Sequence, residues 1–334
     1  MSAILEIRDL YVELPLDQGP RPVIHNVSLR IESGEALGLV GESGSGKSMT
    51  ARAVMGLLPR GAQVDGSIQF DGEELLALSR SELNRFRSRE AAMIFQDPRA
   101  HINPVRRIGD FLCEALVTNQ GVRRDQAQAR AVDRLAECGI PDAKRRLRQY
   151  PHELSGGLLQ RVMIAAALMI EPRLLIADEP TTALDVTTQS DVMAILDELR
   201  RERGLALLFI THDLDLASAV CDRTSVMYAG SIVEDNRAQV LHQEALHPYT
   251  SALAGSRPSI TKQVARLEAI SGRPLSAFEA PPGCPFEPRC PFAEQRCLDE
   301  RPALRELAGA HVACHRAEEL RADNALTRSE VANA

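Results

Sequence analysis

Three short segments carry residues whose types and spacing suit work on phosphate groups. Gly41-Glu42-Ser43-Gly44-Ser45-Gly46-Lys47-Ser48 fits the pattern G-x-x-x-x-G-K-[ST]. Glycines at that spacing let the backbone curl until its N–H groups point inward at phosphate oxygens. A helix beginning after this loop adds the partial positive charge of its N-terminus. Lys47 would then reach the β- and γ-phosphates, and Ser48 would ligate Mg²⁺. A plain Gly/Ser turn would share the composition but not the strand–loop–helix context. The second segment, Leu174 to Ala177, is apolar and ends in Asp178-Glu179. A buried strand would deliver both carboxylates at its C-terminal end, where open α/β sheets bind ligands. Asp178 is placed for the magnesium shell, and Glu179 can polarise a water for attack on a γ-phosphate. Alone, such a pair could simply cap the next element. The third, Ser155-Gly156-Gly157, opens an apolar helix and forms a second anion-binding element. One nucleotide does not need two such elements from one chain. The pattern makes sense if two subunits sandwich it, each supplying one.

Four of the seven cysteines crowd into the last quarter: Cys284, Cys290, Cys297 and Cys314. Their spacers are five, six and sixteen residues. Pro285, Pro288 and Pro291 stiffen the first spacer and its flank, which lowers the entropy lost in holding two thiolates together. Four thiolates suit a [4Fe–4S] cluster or tetrahedral Zn²⁺. No short C-x₂₋₄-C pair of the kind structural zinc prefers is present, so the spacing leans toward the cluster. Free thiols or disulfides are the third reading. Far in sequence from the phosphate motifs, the site is expected to fold its own region rather than take part in hydrolysis. Cys113, Cys138 and Cys221 are scattered.

The elements that must position these residues alternate. Strands are expected at 4–14, 27–31, 35–40, 66–72, 92–95, 174–177 and 205–210. A hairpin is expected at 226–233 about Ala229-Gly230. Helices are expected after Ser48 as far as Pro59, over 81–90, 110–140, 162–169 and 189–201. That alternation predicts an α/β layered fold. Near residue 240 the character changes: Pro and Gly become frequent, strand signals fade and the cysteines appear. A boundary is expected at 240–255, and the polar residues after Arg316 are expected to be frayed.

Composition excludes several classes. With 39 Lys+Arg against 46 Asp+Glu the net charge is −7, and 44% of residues are hydrophobic. That is globular, not collagen-like or disordered throughout. The mild acidity argues against a dedicated nucleic-acid binder. The N-terminus lacks the charge-then-apolar pattern of a secretory signal. The longest apolar run, Val162 to Ile170, is far below the ~18 residues of a spanning helix.

Taken in order, the segments resemble the ATP-binding cassette family. Leu154-Ser155-Gly156-Gly157 is similar to its signature, residues 41–48 to its phosphate loop, and Leu174 to Pro180 to its magnesium and carboxylate strand. Phe95-Gln96-Asp97-Pro98 resembles its Q-loop, Ala183-Leu184-Asp185 its D-loop, and Ile210-Thr211-His212-Asp213 its switch histidine. The resemblance implies a P-loop NTPase cassette over residues 1–240, with a RecA-like core, an antiparallel β subdomain and a helical signature subdomain near 98–160. It implies ATP and Mg²⁺, nucleotide contacts from Gly41 through Met49, and Mg²⁺ at Ser48, Gln96 and Asp178. Glu179 and His212 would be catalytic. Gln96 would sense the metal and the attacking water. Ser155, Gly156, Gly157 and Asp185 would meet the nucleotide of a second ATPase. Leu158 stands where the family often has Gln, and Leu14 where it usually has an adenine-stacking aromatic; Tyr11 should face the other way.

His247-Pro248-Tyr249-Thr250 with Leu253, and Cys284 through Pro291, are similar to a C-terminal extension of oligopeptide/dipeptide importer ATPases. This would occupy 241–316, ahead of a polar tail at 317–334. The resemblance implies a peripheral subunit on the cytoplasmic face of the inner membrane. Its partners would be a second, non-identical ATPase, two permeases and an external substrate-binding protein, without nucleic acid. Peptides would be the commonest cargo, with nickel chelates or oligosaccharides as alternatives. A DNA-repair cassette would need a long insertion, yet only 107 residues separate Lys47 from Ser155. A non-hydrolysing regulatory cassette would lack Glu179 or His212, and both are present.

Overall fold

The computed structural model describes residues 3–182, 184–256 and 270–326. Its first half contains β1 (Ala3–Leu16), β2 (Gly19–Glu32), β3 (Ala36–Val40), α1 (Lys47–Val54), β4 (Gln63–Phe70), β5 (Glu73–Glu74), α2 (Arg80–Arg89) and β6 (Ala91–Ile94). Then come α3 (Ile108–Glu114), α4 (Arg124–Glu137), α5 (Ala143–Arg146), α6 (Gly156–Leu168), β7 (Leu174–Asp178), α7 (Val186–Arg203), β8 (Ala206–Thr211) and α8 (Leu214–Val220). The chain continues through β9 (Arg223–Tyr228), β10 (Ser231–Arg237), α9 (Pro248–Gly255), α10 (Gln295–Asp299), β11 (Arg305–Leu307), β12 (Ala310–Val312) and α11 (Ala317–Ala322).

Two sheets result. One is antiparallel, in the order β2-β1-β4-β5. The other runs β11-β12-β10-β9-β3-β8-β7-β6, with β9, β3, β8, β7 and β6 parallel. Every residue of β3, β7 and β8 is buried, as parallel strands covered on both faces require. Side-chain alternation divides them between two cores. Leu175, Ala177, Leu207 and Phe209 join α3, α4, α6 and α7 in one. Leu174, Ile176, Leu208 and Ile210 face α1 and the antiparallel sheet in the other.

Three expectations change. The helix expected over 110–140 is interrupted: after a wide turn at 115–119, Gly121 takes φ +69° before α4 begins. Strand signals fade after 240, yet β11 and β12 extend the main sheet, Glu234 opposite Val312. That pairing joins the two sides of the division expected at 240–255. Residues expected to fray after Arg316 include α11, whose Ala317 and Leu320 are buried; residues 327–334 of that tail lie outside the described residues.

Candidate active site

β3 runs straight into the glycine loop, and the loop has no room for side chains where it turns. A Cβ at Gly41 would lie 2.1 Å from the Met227 carbonyl oxygen. Gly46 holds φ +105°, a left-handed conformation that favours glycine. The Gly230 N–H donates to the Ser45 carbonyl at 2.8 Å. No acceptor among the described residues takes the N–H groups of Ser43, Gly44, Gly46, Lys47 or Ser48. These donors at the start of α1 form a ready-made anion cradle. Lys47 is 5% exposed, and its Nζ donates to the Gly41 and Glu42 carbonyls at 2.8 and 3.0 Å. Burial pulls its pKa down, and the charges of Glu179, Asp178 and Glu42 oppose that.

The remaining reactive groups stand just past three adjacent parallel strands: Gln96 after β6, Glu179 after β7, His212 after β8. Ser48 Oγ donates to Asp178 Oδ1 at 2.9 Å. A hydroxyl beside a carboxylate is an oxygen donor set that suits Mg²⁺. Burial raises the Asp178 pKa, helped by the charge of Glu179 and opposed by Ser48 and Lys47. Glu179 takes φ +47°, a conformation costing on the order of 1 kcal/mol for a non-glycine residue. Its N–H still donates to Ile210 O at 2.9 Å. Its Oε2 accepts from Gln96 Nε2 and Thr182 Oγ1, both at 2.9 Å, and lies 3.6 Å from His212 Nδ1. Thr182 is an addition to the expected set; its place right after the Asp-Glu-Pro run was the available signal.

The signature lies apart. Ser155 is the N-cap of α6 and accepts from the Leu158 N–H at 3.4 Å. A Cβ on Gly157 would sit 2.5 Å from Thr188 Cγ2. Thr188 in turn donates from its N–H and hydroxyl to Asp185, the N-cap of α7, at 3.0 and 2.8 Å. Signature and D-loop therefore form one patch, Ala183 lying outside the described residues. Among the described residues, no hydrogen bond or ion pair joins this patch to residues 41–48. Met49 lies within α1, partly buried against the second core. Leu14 is buried at 7%. Tyr11 meets the His25 ring edge-on, centroids 6.4 Å apart.

The four clustered thiols, Cys284, Cys290, Cys297 and Cys314, line one small cavity together with His247, Phe286 and Phe292. Among the described residues, however, no group of three or more His, Cys, Asp and Glu side chains is placed to hold one metal ion. Tetrahedral zinc would need thiolate sulfurs about 3.8 Å apart, given its Zn–S distance. The zinc alternative therefore finds no matching site.

Residues 24–182 match the ABC transporter family, and residues 233–297 the C-terminal region of the oligopeptide/dipeptide transporter family. The oligopeptide transport ATP-binding protein OppD of Salmonella typhimurium is 43% identical over 301 residues, 90% of either chain. The dipeptide transport ATP-binding protein DppD of Escherichia coli is 42% identical over 315 residues, 94% of this chain and 96% of its own. The solved dimeric post-hydrolysis state of the ATP-binding cassette MJ0796, bound to ADP and Pi, has a TM-score of 0.63 at 25% identity, covering 70% of this chain and 98% of its own. The chain belongs to the ATP-binding cassette transporter family, in the branch that holds the oligopeptide and dipeptide transport ATP-binding proteins.

Proposed function

We propose that the chain is the ATP-hydrolysing subunit of an importer for oligopeptides or dipeptides. The observation that carries the hydrolytic reading is Glu179. Its carboxylate is oriented by Gln96 and Thr182, faces His212, and stands beside the Ser48–Asp178 pair. The loop N–H groups and Lys47 would bind the β- and γ-phosphates. Ser48, Asp178 and Gln96 would hold Mg²⁺, which when bound neutralises charge on the phosphate oxygens. Glu179 would accept hydrogen from the attacking water, and Gln96 fixes which carboxylate oxygen is presented. His212, 3.6 Å away, is in reach to contact the γ-phosphate.

The exposed patch of Ser155, Gly156, Gly157 and Asp185 completes the site only on a second ATPase subunit, whose nucleotide it would cover. Two permeases would dock on the helical subdomain near 98–160, where Val105 is 79% exposed. An external binding protein would present cargo on the far side. Among the described residues, no helix is long and apolar enough to cross a membrane. This fits a peripheral subunit on the cytoplasmic face of the inner membrane. The cassette would span 1–240 and the extension 241–316.

For the four-thiol cavity the proposal is a [4Fe–4S] cluster held by Cys284, Cys290, Cys297 and Cys314. What supports the reading is that all four thiols line one cavity, since each iron of such a cluster takes one thiolate. Such a cluster would cross-link three stretches of the extension. Anaerobic purification with iron and sulfide analysis tests it: four of each per chain is expected, and none would overturn it. The cargo is tested in cells lacking the gene. Loss of labelled di- and tetrapeptide uptake, restored by the gene and not by Glu179→Gln, is expected. Loss of nickel or oligosaccharide uptake alone would overturn the peptide assignment.

A further inference from the structure

The phosphate loop is gripped from outside by the segment that follows the cassette. Both carboxylate oxygens of Glu42 accept from the Arg289 guanidinium, at 2.7 and 3.3 Å. The Arg289 side chain is 3% exposed and that of Glu42 22%. The guanidinium is further fixed by the Ser271 carbonyl at 2.8 Å, and lies 5.7 and 5.9 Å from the ring centroids of Tyr228 and Phe286. Tyr228, Tyr249 and Phe286 pack on one another with centroids 4.6–5.3 Å apart. The Glu42 N–H donates to Tyr249 Oη at 3.0 Å. Two residues on, the Gly44 carbonyl accepts from the Ala277 N–H at 3.0 Å.

Glu42 is an awkward residue in this place. Its carboxylate belongs to a loop that must receive a triphosphate, and like charges repel across such distances in a partly buried setting. Arg289 cancels that charge and pins the loop at the same time. A glycine-rich loop held beforehand loses less freedom when it binds. We propose that Arg289 is a positioning residue for the phosphate loop, so that ATP affinity depends on the cysteine-bearing extension. The proposal rests on reading residues 41–48 as the nucleotide site. Arg289 and Phe286 lie within the Cys284–Cys290 spacer, so whatever orders that spacer orders the grip.

The test is a substitution cycle in the full chain, assembled with its partner subunits, reading KM and kcat for Mg-ATP. Arg289→Met keeps the apolar stem over the aromatic rings and removes the charge. It should raise KM on the order of tenfold with kcat within about twofold. Glu42→Gln alone removes the charge but keeps an acceptor for Arg289, and should raise KM less than Arg289→Met does. Adding it to Arg289→Met should restore the part of the lost affinity that the bare carboxylate costs, while the part lost with the unpinned loop remains. Arg289→Lys should fall between wild type and Arg289→Met, and takes its place in the cycle if Arg289→Met does not accumulate. An unchanged KM in the Arg289 variant, or a double variant as weak as it, would overturn the proposal; a merely structural arginine gives no rescue. Lys47→Ala with undiminished ATP affinity would overturn the nucleotide reading itself.

Discussion

The two halves of the proposed nucleotide site are built in opposite ways. On the phosphate-loop side the central groups are buried or held: Lys47 and Asp178 are each 5% exposed, and Glu179 is held at once by Gln96 and Thr182, with Gln96 and His212 at the exposed rim. On the signature side, Ser155, Gly156 and Asp185 are exposed, and Val186 beside them is 79% exposed. One half is complete within the chain. The other is an open surface where Ser155 and Asp185 cap their own helices. The contrast teaches that the lysine and the first carboxylate are prepared by burial and Glu179 by its hydrogen bonds. The exposed small and capping residues are where the proposed partner would be received.

That contrast can be broken most sharply at Glu179. Glu179→Gln keeps the size and the Gln96 contact but removes the charge that orients water. Turnover by the assembled complex should fall at least ~10²-fold with ATP binding unchanged. Near-normal turnover, with this change at every active site, would remove Glu179 from the chemistry. Lys47→Ala, in the same buried half, should instead act on binding and weaken ATP affinity about tenfold or more, as loss of a charge-assisted contact does; equilibrium titration with Mg-ATP decides it.

The open half should respond differently. Gly157→Val forces a side chain against Thr188 and disturbs the patch. Turnover in the assembled complex should drop roughly tenfold, while ATP affinity of the isolated subunit stays within about twofold. A matching loss of affinity in the isolated subunit would mean the two halves are coupled within one chain.

The smallest effects carry opposite signs. The folded-state pKa of Asp178 is raised, chiefly by burial. Its contribution is therefore favourable below the usual carboxylate range and is lost as pH rises through the folded value. Asp178→Asn should raise Tm at pH 7 by a few degrees, with the gain shrinking toward pH 4 and activity lost. Asp185 is lowered by its bonds from Thr188. It contributes above the unfolded value and loses that as pH falls through the folded one. Asp185→Asn should lower Tm at pH 7 by about 1–3 °C or less. Equal signs in thermal scans of the two variants would undo the distinction.

The prepared half was legible because its motifs are local. A buried apolar strand leading into glycines, or ending in two carboxylates, states its own geometry. The hairpin about Ala229-Gly230 was legible for the same reason: both residues take positive φ, 41° and 84°. The break in 110–140 was missed because apolar spacing continues across Gly121, and only the backbone turns there. Strands β11 and β12 were missed because three-residue strands are too short to show alternation. The Arg289–Glu42 pair leaves no trace in sequence, since nothing local tells an arginine between prolines and cysteines which carboxylate it will meet.

That pair spans 247 positions of the chain. At translation rates of ~5–20 residues per second, the loop is made roughly 12–50 s before the arginine that grips it. For that interval the Glu42 carboxylate has no Arg289 to meet. If Arg289 sets nucleotide affinity as proposed, full affinity arrives only with the synthesis of the extension, and a chain stopped short of Arg289 would compete poorly for ATP.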